Sequence, residues 1–201
     1  MLFRSKSLFH QRQRGEDTKS FANALRSALR EDPDIILVGE MRDLETISLA
    51  VTAAETGHLV FATLHTNSAA STIDRMVDVF PANQQAQIRA MISNSLIGVF
   101  SQCLAKKKNT KPGEFGRVLA QEIMIVTPAI ANLIREGKAA QIYSAIQTGG
   151  KLAMQTMEQS LANLVVSGVI STEEGIARSG KPDELHRLIG GTTLGSRAKV
   201  S

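Results

Sequence analysis

The chain has one cysteine, no tryptophan and a single tyrosine in 201 residues. A lone Cys103 excludes an internal disulfide framework and any multi-cysteine zinc module. With so few aromatics, the core has to be built from Leu, Ile, Val, Ala and Met. No apolar run approaches the ~18 residues that cross a bilayer. The beginning, MLFRSKSLFHQRQR, is too charged for a signal peptide. We therefore expect a soluble protein of a reducing, cytoplasmic compartment. The net charge of +4 is mild and dispersed, so nucleic-acid binding is not demanded. The densest basic stretch, AKKKNTKPGEFGRV, contains the turn signals Pro112-Gly113 and Gly116. It reads as a solvated hairpin tip rather than a binding patch, because no aromatic platform accompanies it.

What is present is a strand–helix–strand pattern. Residues 8–13 could form a first strand. Phe21, Leu25, Ala28 and Leu29 lie on one helical stripe, with Asp17 or Thr18 as the cap and Asp32-Pro33 as the stop. The run Ile35-Ile36-Leu37-Val38 does not alternate, which predicts a central parallel strand buried on both faces. Asp43 caps a helix carrying Leu44, Ile47, Val51 and Ala54, and Gly57 ends it. LVFATL (59–64) is a second strand, which completes a right-handed βαβ unit. Ser68 caps the next helix, and Pro81 follows it. The spacing Ile88, Met91, Ile92, Leu96, Val99, Cys103 predicts one long helix. RVLAQEIMIV predicts a further strand. From Pro128 onward the pattern is helical.

The chemistry is concentrated at strand ends. In open parallel sheets, ligands bind beyond the carboxyl ends of the strands. Glu40 stands there, one residue past the apolar run, with Gly39 allowing close approach. A carboxylate so placed can orient water for attack on a phosphate or act through Mg²⁺; it can equally cap the next helix or pair with Arg42. His65 ends the second strand at the corresponding edge. His58 lies at the other end, and seven extended residues span about 23 Å, so the two histidines cannot share one metal. That makes His65 the site candidate and His58 structural or interfacial. No metal-ligand set is identified.

DPDIILVGEMRD resembles the Walker B segment of the secretion ATPase superfamily, the hexameric motors of type II secretion and type IV pili. HLVFATLHT with AASTIDRMVDVFP is similar to that superfamily's histidine box. EIMIVTPAIANLIREGKAAQIYSAIQTG resembles the C-terminal region of the PilT-like pilus retraction motors, which drive twitching motility. The resemblance covers about residues 8–180. It implies a partial RecA-like P-loop NTPase core, α/β with a mostly parallel sheet over residues 1–127. A C-terminal helical region over 128–190 and a disordered tail over 191–201 would follow. It also implies ATP and Mg²⁺ as cofactors, Glu40 as the hydrolytic carboxylate, and His65 and His58 as nucleotide-sensing residues. Arg26, Arg30 and Arg42 become candidates for charge compensation or subunit contacts. Ala129, Ile130, Asn132, Leu133, Ile134, Arg135 and Glu136 form the retraction-associated helix, in which Ala131 stands where the family has arginine.

The implied partners are further copies of the motor in a hexameric ring and an inner-membrane pilus platform protein. The implied location is the cytoplasmic face of the bacterial inner membrane, without insertion. The four-cysteine zinc module common in assembly and secretion motors cannot be made with one cysteine, which favours the retraction branch over a type II secretion or pilus assembly ATPase. One expected part is missing: no GxxxxGK[ST] occurs in the chain. That loop supplies the amide cradle and the phosphate lysine. The expectation is a C-terminal portion of such a motor, inactive by itself. The rival reading is a non-catalytic subunit or interaction protein that joins a motor ring.

Overall fold

The computed structural model describes residues 7–111 and 113–197, with side chains considered only through residue 190. They form two compact units that divide between Leu64 and His65.

The first unit holds α1 (Phe21–Ala28), β1 (Ile35–Val38), α2 (Leu44–Glu55) and β2 (Leu59–Ala62). Residues 8–13 make no strand; an isolated bridge joins Arg14 to Thr18. Ser20, not Asp17 or Thr18, caps α1 by accepting from the Asn23 N–H. Asp43 caps α2, accepting from the Thr46 N–H. Gly57, two residues past α2, adopts φ +104°, a conformation that only glycine takes at little cost. β1 and β2 pair in parallel, Ile35 opposite Leu59 and Val38 opposite Ala62, as the βαβ pattern requires.

The expectation of two buried faces for β1 is corrected. Ile36 and Val38 are 7% and 5% exposed, whereas Ile35 and Leu37 are 60% and 69% exposed. Their in-register neighbours Leu59 and Phe61 are also exposed. An uninterrupted apolar run thus behaves as an alternating strand, because only one face of this two-stranded sheet is packed.

The second unit contains α3 (Ala69–Asp78), α4 (Ala82–Ser95), β3 (Gly98–Lys106), β4 (Arg117–Ile125), α5 (Pro128–Arg135), α6 (Ile142–Thr148), α7 (Met157–Val166), α8 (Thr172–Arg178) and α9 (Pro182–Arg197). The predicted long helix through Cys103 is the second correction. The helix stops at Ser95, Leu96 turns to extended backbone, and Val99 and Cys103 belong to β3. The apolar residues from Val99 on fit period 2 as well as period 3.6: Val99, Ser101 and Ala105 are buried, while Phe100, Gln102 and Leu104 are exposed. Antiparallel pairing with β4, Gly98 opposite Ile125 and Lys106 opposite Arg117, decides between them. Gly98 is required there, since an added Cβ would lie 2.9 Å from the Met124 carbonyl oxygen. The basic stretch does form the hairpin tip. Of the expected tail, backbone 191–197 continues α9, and 198–201 lie outside the described residues.

Behind the hairpin, α7 and α9 pack on Ala105 and Ala120 through Met157, Leu161, Ala162 and Leu185. A second group of fully buried isoleucines, Ile130, Ile134, Ile142 and Ile146, comes from α5 and α6.

Candidate functional site

Glu40 is partly buried just beyond β1. Thr63 fixes the backbone on both sides of it. Its Oγ1 donates to the Gly39 carbonyl at 2.5 Å, and its carbonyl accepts from the Met41 N–H at 3.0 Å. The two strands thus stay joined past the ladder, and Glu40 is held between two anchored peptides. The Arg42 Nε donates to Glu40 Oε1 in an ion pair. Arg42 itself is 72% exposed, so this pair is exchangeable with water and contributes little to stability. A carboxylate held this way at a strand's carboxyl end can bind and orient a water molecule.

The other arginines have their own contacts. Arg26 pairs with Glu45 and donates to Asn23 Oδ1 at 3.2 Å. Arg30 is exposed just past α1. His58 precedes β2, at the end opposite Glu40 in the parallel register. Its Nδ1 lies 3.0 Å from the Ala53 carbonyl oxygen at the end of α2, and 3.2 Å from Thr56 Oγ1. The ring thus lies against the carbonyl of Ala53 in the last turn of α2, where carbonyl groups lack intrahelical donors.

His65 is exposed, three residues past β2, and opens the second unit. Its φ is +52°, a left-handed conformation uncommon outside glycine and of the kind that clusters at functional sites. The loop after it is tightly bonded. Thr66 Oγ1 and Thr72 Oγ1 share a 2.6 Å hydrogen bond, Thr72 Oγ1 donates to the Ser68 carbonyl at 2.8 Å, and Ser68 and Ser71 form a capping box at the start of α3. The structure brings Glu40, Arg42 and Thr63 together in the first unit, and His65 belongs to the second.

On α5, Ile130 and Ile134 are 0% and 1% exposed, with Leu133 partly buried and Ala129 exposed. Arg135 donates to Ser93 Oγ at 3.1 Å and Asn94 Oδ1 at 3.2 Å, so it ties α5 to the end of α4. Asn132 Nδ2 donates to Glu136 Oε1 at 2.9 Å, and Glu136 pairs with Lys138 at 2.8 Å.

Sequence reasoning missed a buried polar network in the second unit. Glu158 is 3% exposed and accepts from Tyr143 Oη, Ser179 Oγ and the Lys181 N–H at 3.1, 3.1 and 3.2 Å. The Lys181 ammonium sits 3.1 Å from the Tyr143 ring centroid. Burial, with the carboxylates of Glu158 and Glu184 nearby, pushes the Tyr143 phenol well above its ordinary pKa. Glu122, also 3% exposed, is a second buried carboxylate and accepts from the Ala69 N–H. The available signal was a glutamate on the inward-facing period of an apolar strand, Ala120-Glu122-Met124.

Among the described residues no group of His, Cys, Asp or Glu could hold a metal ion, and no helix is long and apolar enough to cross a membrane. The residues present fit the water-orienting part of a phosphate site and not its amide cradle, so neither nucleotide nor Mg²⁺ is placed on this chain.

A βαβ unit with a carboxylate beyond its first strand and a constrained histidine after its second, with helices later in the chain, is a partial RecA-like core followed by a helical region. The chain belongs to the family described as Type II/IV secretion system protein, whose model matches residues 9–177. It is 63% identical over 178 residues to the type IV pilus retraction ATPase PilT of Pseudomonas aeruginosa, covering 89% of this chain and 50% of that protein. It is 59% identical over 174 residues to a twitching motility protein of Neisseria gonorrhoeae, covering 87% and 46%. The crystal structure of the pilus retraction motor PilT with bound ADP is similar at 54% identity and a TM-score of 0.83, over 93% of this chain and 51% of that one. The chain spans about half the length of these relatives.

Proposed function

We propose that this chain is the C-terminal part of a hexameric, ATP-hydrolysing motor that powers type IV pilus retraction and twitching motility. The observation that carries this reading is the 63% identity to the retraction ATPase, extending over both the Glu40 segment and the α5 helix. Residues 1–127 would be the truncated ATPase core, 128–190 the C-terminal helical region. Glu40 would orient the attacking water, with Thr63 fixing its backbone. His65 would sense the γ-phosphate, and His58 would hold the end of α2. Arg26, Arg30 and Arg42 would compensate charge or meet the neighbouring subunit. The chain lacks the GxxxxGK[ST] loop, so it should not turn over ATP by itself. The motor would work at the cytoplasmic face of the inner membrane against a platform protein, without nucleic acid.

The test is ATP turnover with Mg²⁺, first by the purified chain and then after mixing with a separately produced P-loop-bearing half of a relative. Turnover only in the mixture, lost with Glu40→Gln, supports the motor reading. No turnover in the mixture, together with capture of the chain by an intact motor ring, would shift the reading to a non-catalytic subunit.

A further inference from the structure

β4 presents Ala120, Glu122 and Met124 to the interior, and the two neighbours are 0% exposed. A buried carboxylate is costly unless it is paired and hydrogen-bonded, and well-packed apolar residues often serve a core at least as well. Glu122 is satisfied in an unusual way. Its Oε1 accepts from the Ala69 N–H at 2.7 Å, and the nearby Met157 amide also favours its charged form. Ala69 is the first residue of α3 and Met157 the first of α7. First-turn N–H groups have no intrahelical acceptor, and the helix dipole there favours negative charge.

Capping alone does not explain this. Both helices already carry complete capping boxes, Ser68 with Ser71 and Thr156 with Gln159. Those boxes engage the N-cap and third-residue N–H groups and leave the first one over. Glu122 takes the first N–H of α3, and the first residue of α7 lies near the same carboxylate. The α7 end is already fixed to β4: Ile123 and Gln155 exchange backbone bonds of 2.8 and 3.1 Å. The Gln121 N–H donates to Ser160 Oγ at 3.1 Å. The α3 end follows directly on the left-handed His65 and the bonded loop 66–68.

We infer that Glu122 is the positioning residue of the His65 loop: its carboxylate straps the start of α3 to β4, which the Ile123–Gln155 and Gln121–Ser160 bonds fix to the start of α7, and so links the histidine to the C-terminal helices. The role in catalysis rests on the motor reading given above. The charged groups facing this carboxylate are Glu158 and Lys181, and neither replaces its bond to the Ala69 amide.

The wild-type 201-residue chain tests this without any nucleotide. In an amide NMR titration, the Ala69 and Met157 amides should move with one common midpoint, above that of an exposed glutamate. The His65, Thr66 and Asn67 amides should follow the same curve. Independent midpoints, or His65–Asn67 signals that stay still, overturn the strap. Glu122→Gln keeps the shape but leaves one acceptor oxygen. It should speed exchange at the Ala69 amide about tenfold and shift the His65 ring signals. A general loss of stability with the His65 signals unmoved would make Glu122 a core residue only. Either failure leaves the motor reading standing, since that reading is decided by turnover in the mixture.

Discussion

Thr63 brackets Glu40: its hydroxyl bonds the peptide before the glutamate and its carbonyl bonds the peptide after it. One residue of β2's continuation therefore sets the backbone of the candidate hydrolytic carboxylate. Thr63→Val keeps the shape and removes only the hydroxyl bond to Gly39. The expected cost is about 1 kcal/mol or less, because the bond is exposed. Chemical denaturation measures that cost, and an unchanged Glu40 carboxyl signal in NMR would show that the bracket is idle.

Gly98 opens β3 with no room for a side chain, its would-be Cβ facing the Met124 carbonyl at 2.9 Å. Gly98→Ala must displace backbone rather than a flexible side chain. A loss of roughly 1–3 kcal/mol is expected, read as a lower denaturation midpoint. Wild-type stability in this variant would mean the hairpin mouth yields.

Ser101 stands directly across the ladder from Glu122. Its Oγ is buried, with no hydrogen-bond partner among the described residues. Removing an unsatisfied buried hydroxyl relieves its desolvation. Ser101→Ala should leave the fold as stable or raise its stability by up to about 1 kcal/mol. A clear loss of stability would reveal a bond or bound water at that hydroxyl.

Burial is the leading cause that raises the Glu122 carboxyl above the ordinary 4.5, partly offset by the Ala69 and Met157 amides. A folded value above the unfolded one means the folded chain holds the proton more tightly. Between the ordinary glutamate value and the raised one, the native state binds more protons than the unfolded state. Stability from this group therefore falls as pH rises through that window. The wild type should gain stability relative to Glu122→Gln on acidification from neutral pH toward about 5. Parallel denaturation curves at the two pH values measure this, and an unchanged difference would contradict the shift.

The βαβ unit, the caps at Asp43 and Ser68, the hairpin tip and the α5 helix were legible in the sequence. Each rests on local chemistry: a capping side chain, a glycine at a helix end, a turn signal or a period. The end of the 88–103 stretch was not legible, because the apolar residues from Val99 on satisfy both periods and only pairing with β4 chooses between them. β1 misled in the other direction. Its four apolar residues state what the strand can bury, and the packing of its unit buries only Ile36 and Val38. Glu40 and His65 stood out as candidates because strand ends are places where chemistry is expected. Glu122 and Thr63 did not, since their importance lies in which distant N–H or carbonyl they reach.

The open face of β1 and β2 also bears on how the chain survives in a cell. Two-stranded sheets are marginal by themselves, and the elements with the fewest buried apolar contacts open first. Here the four-residue ladder leaves Leu37 and Phe61 exposed, whereas the hairpin of the second unit pairs nine residues on each strand. A protease should therefore trim the chain from the first unit inward, leaving a resistant piece that begins near His65. Quality-control machinery that recognises apolar strands would meet the same segment first.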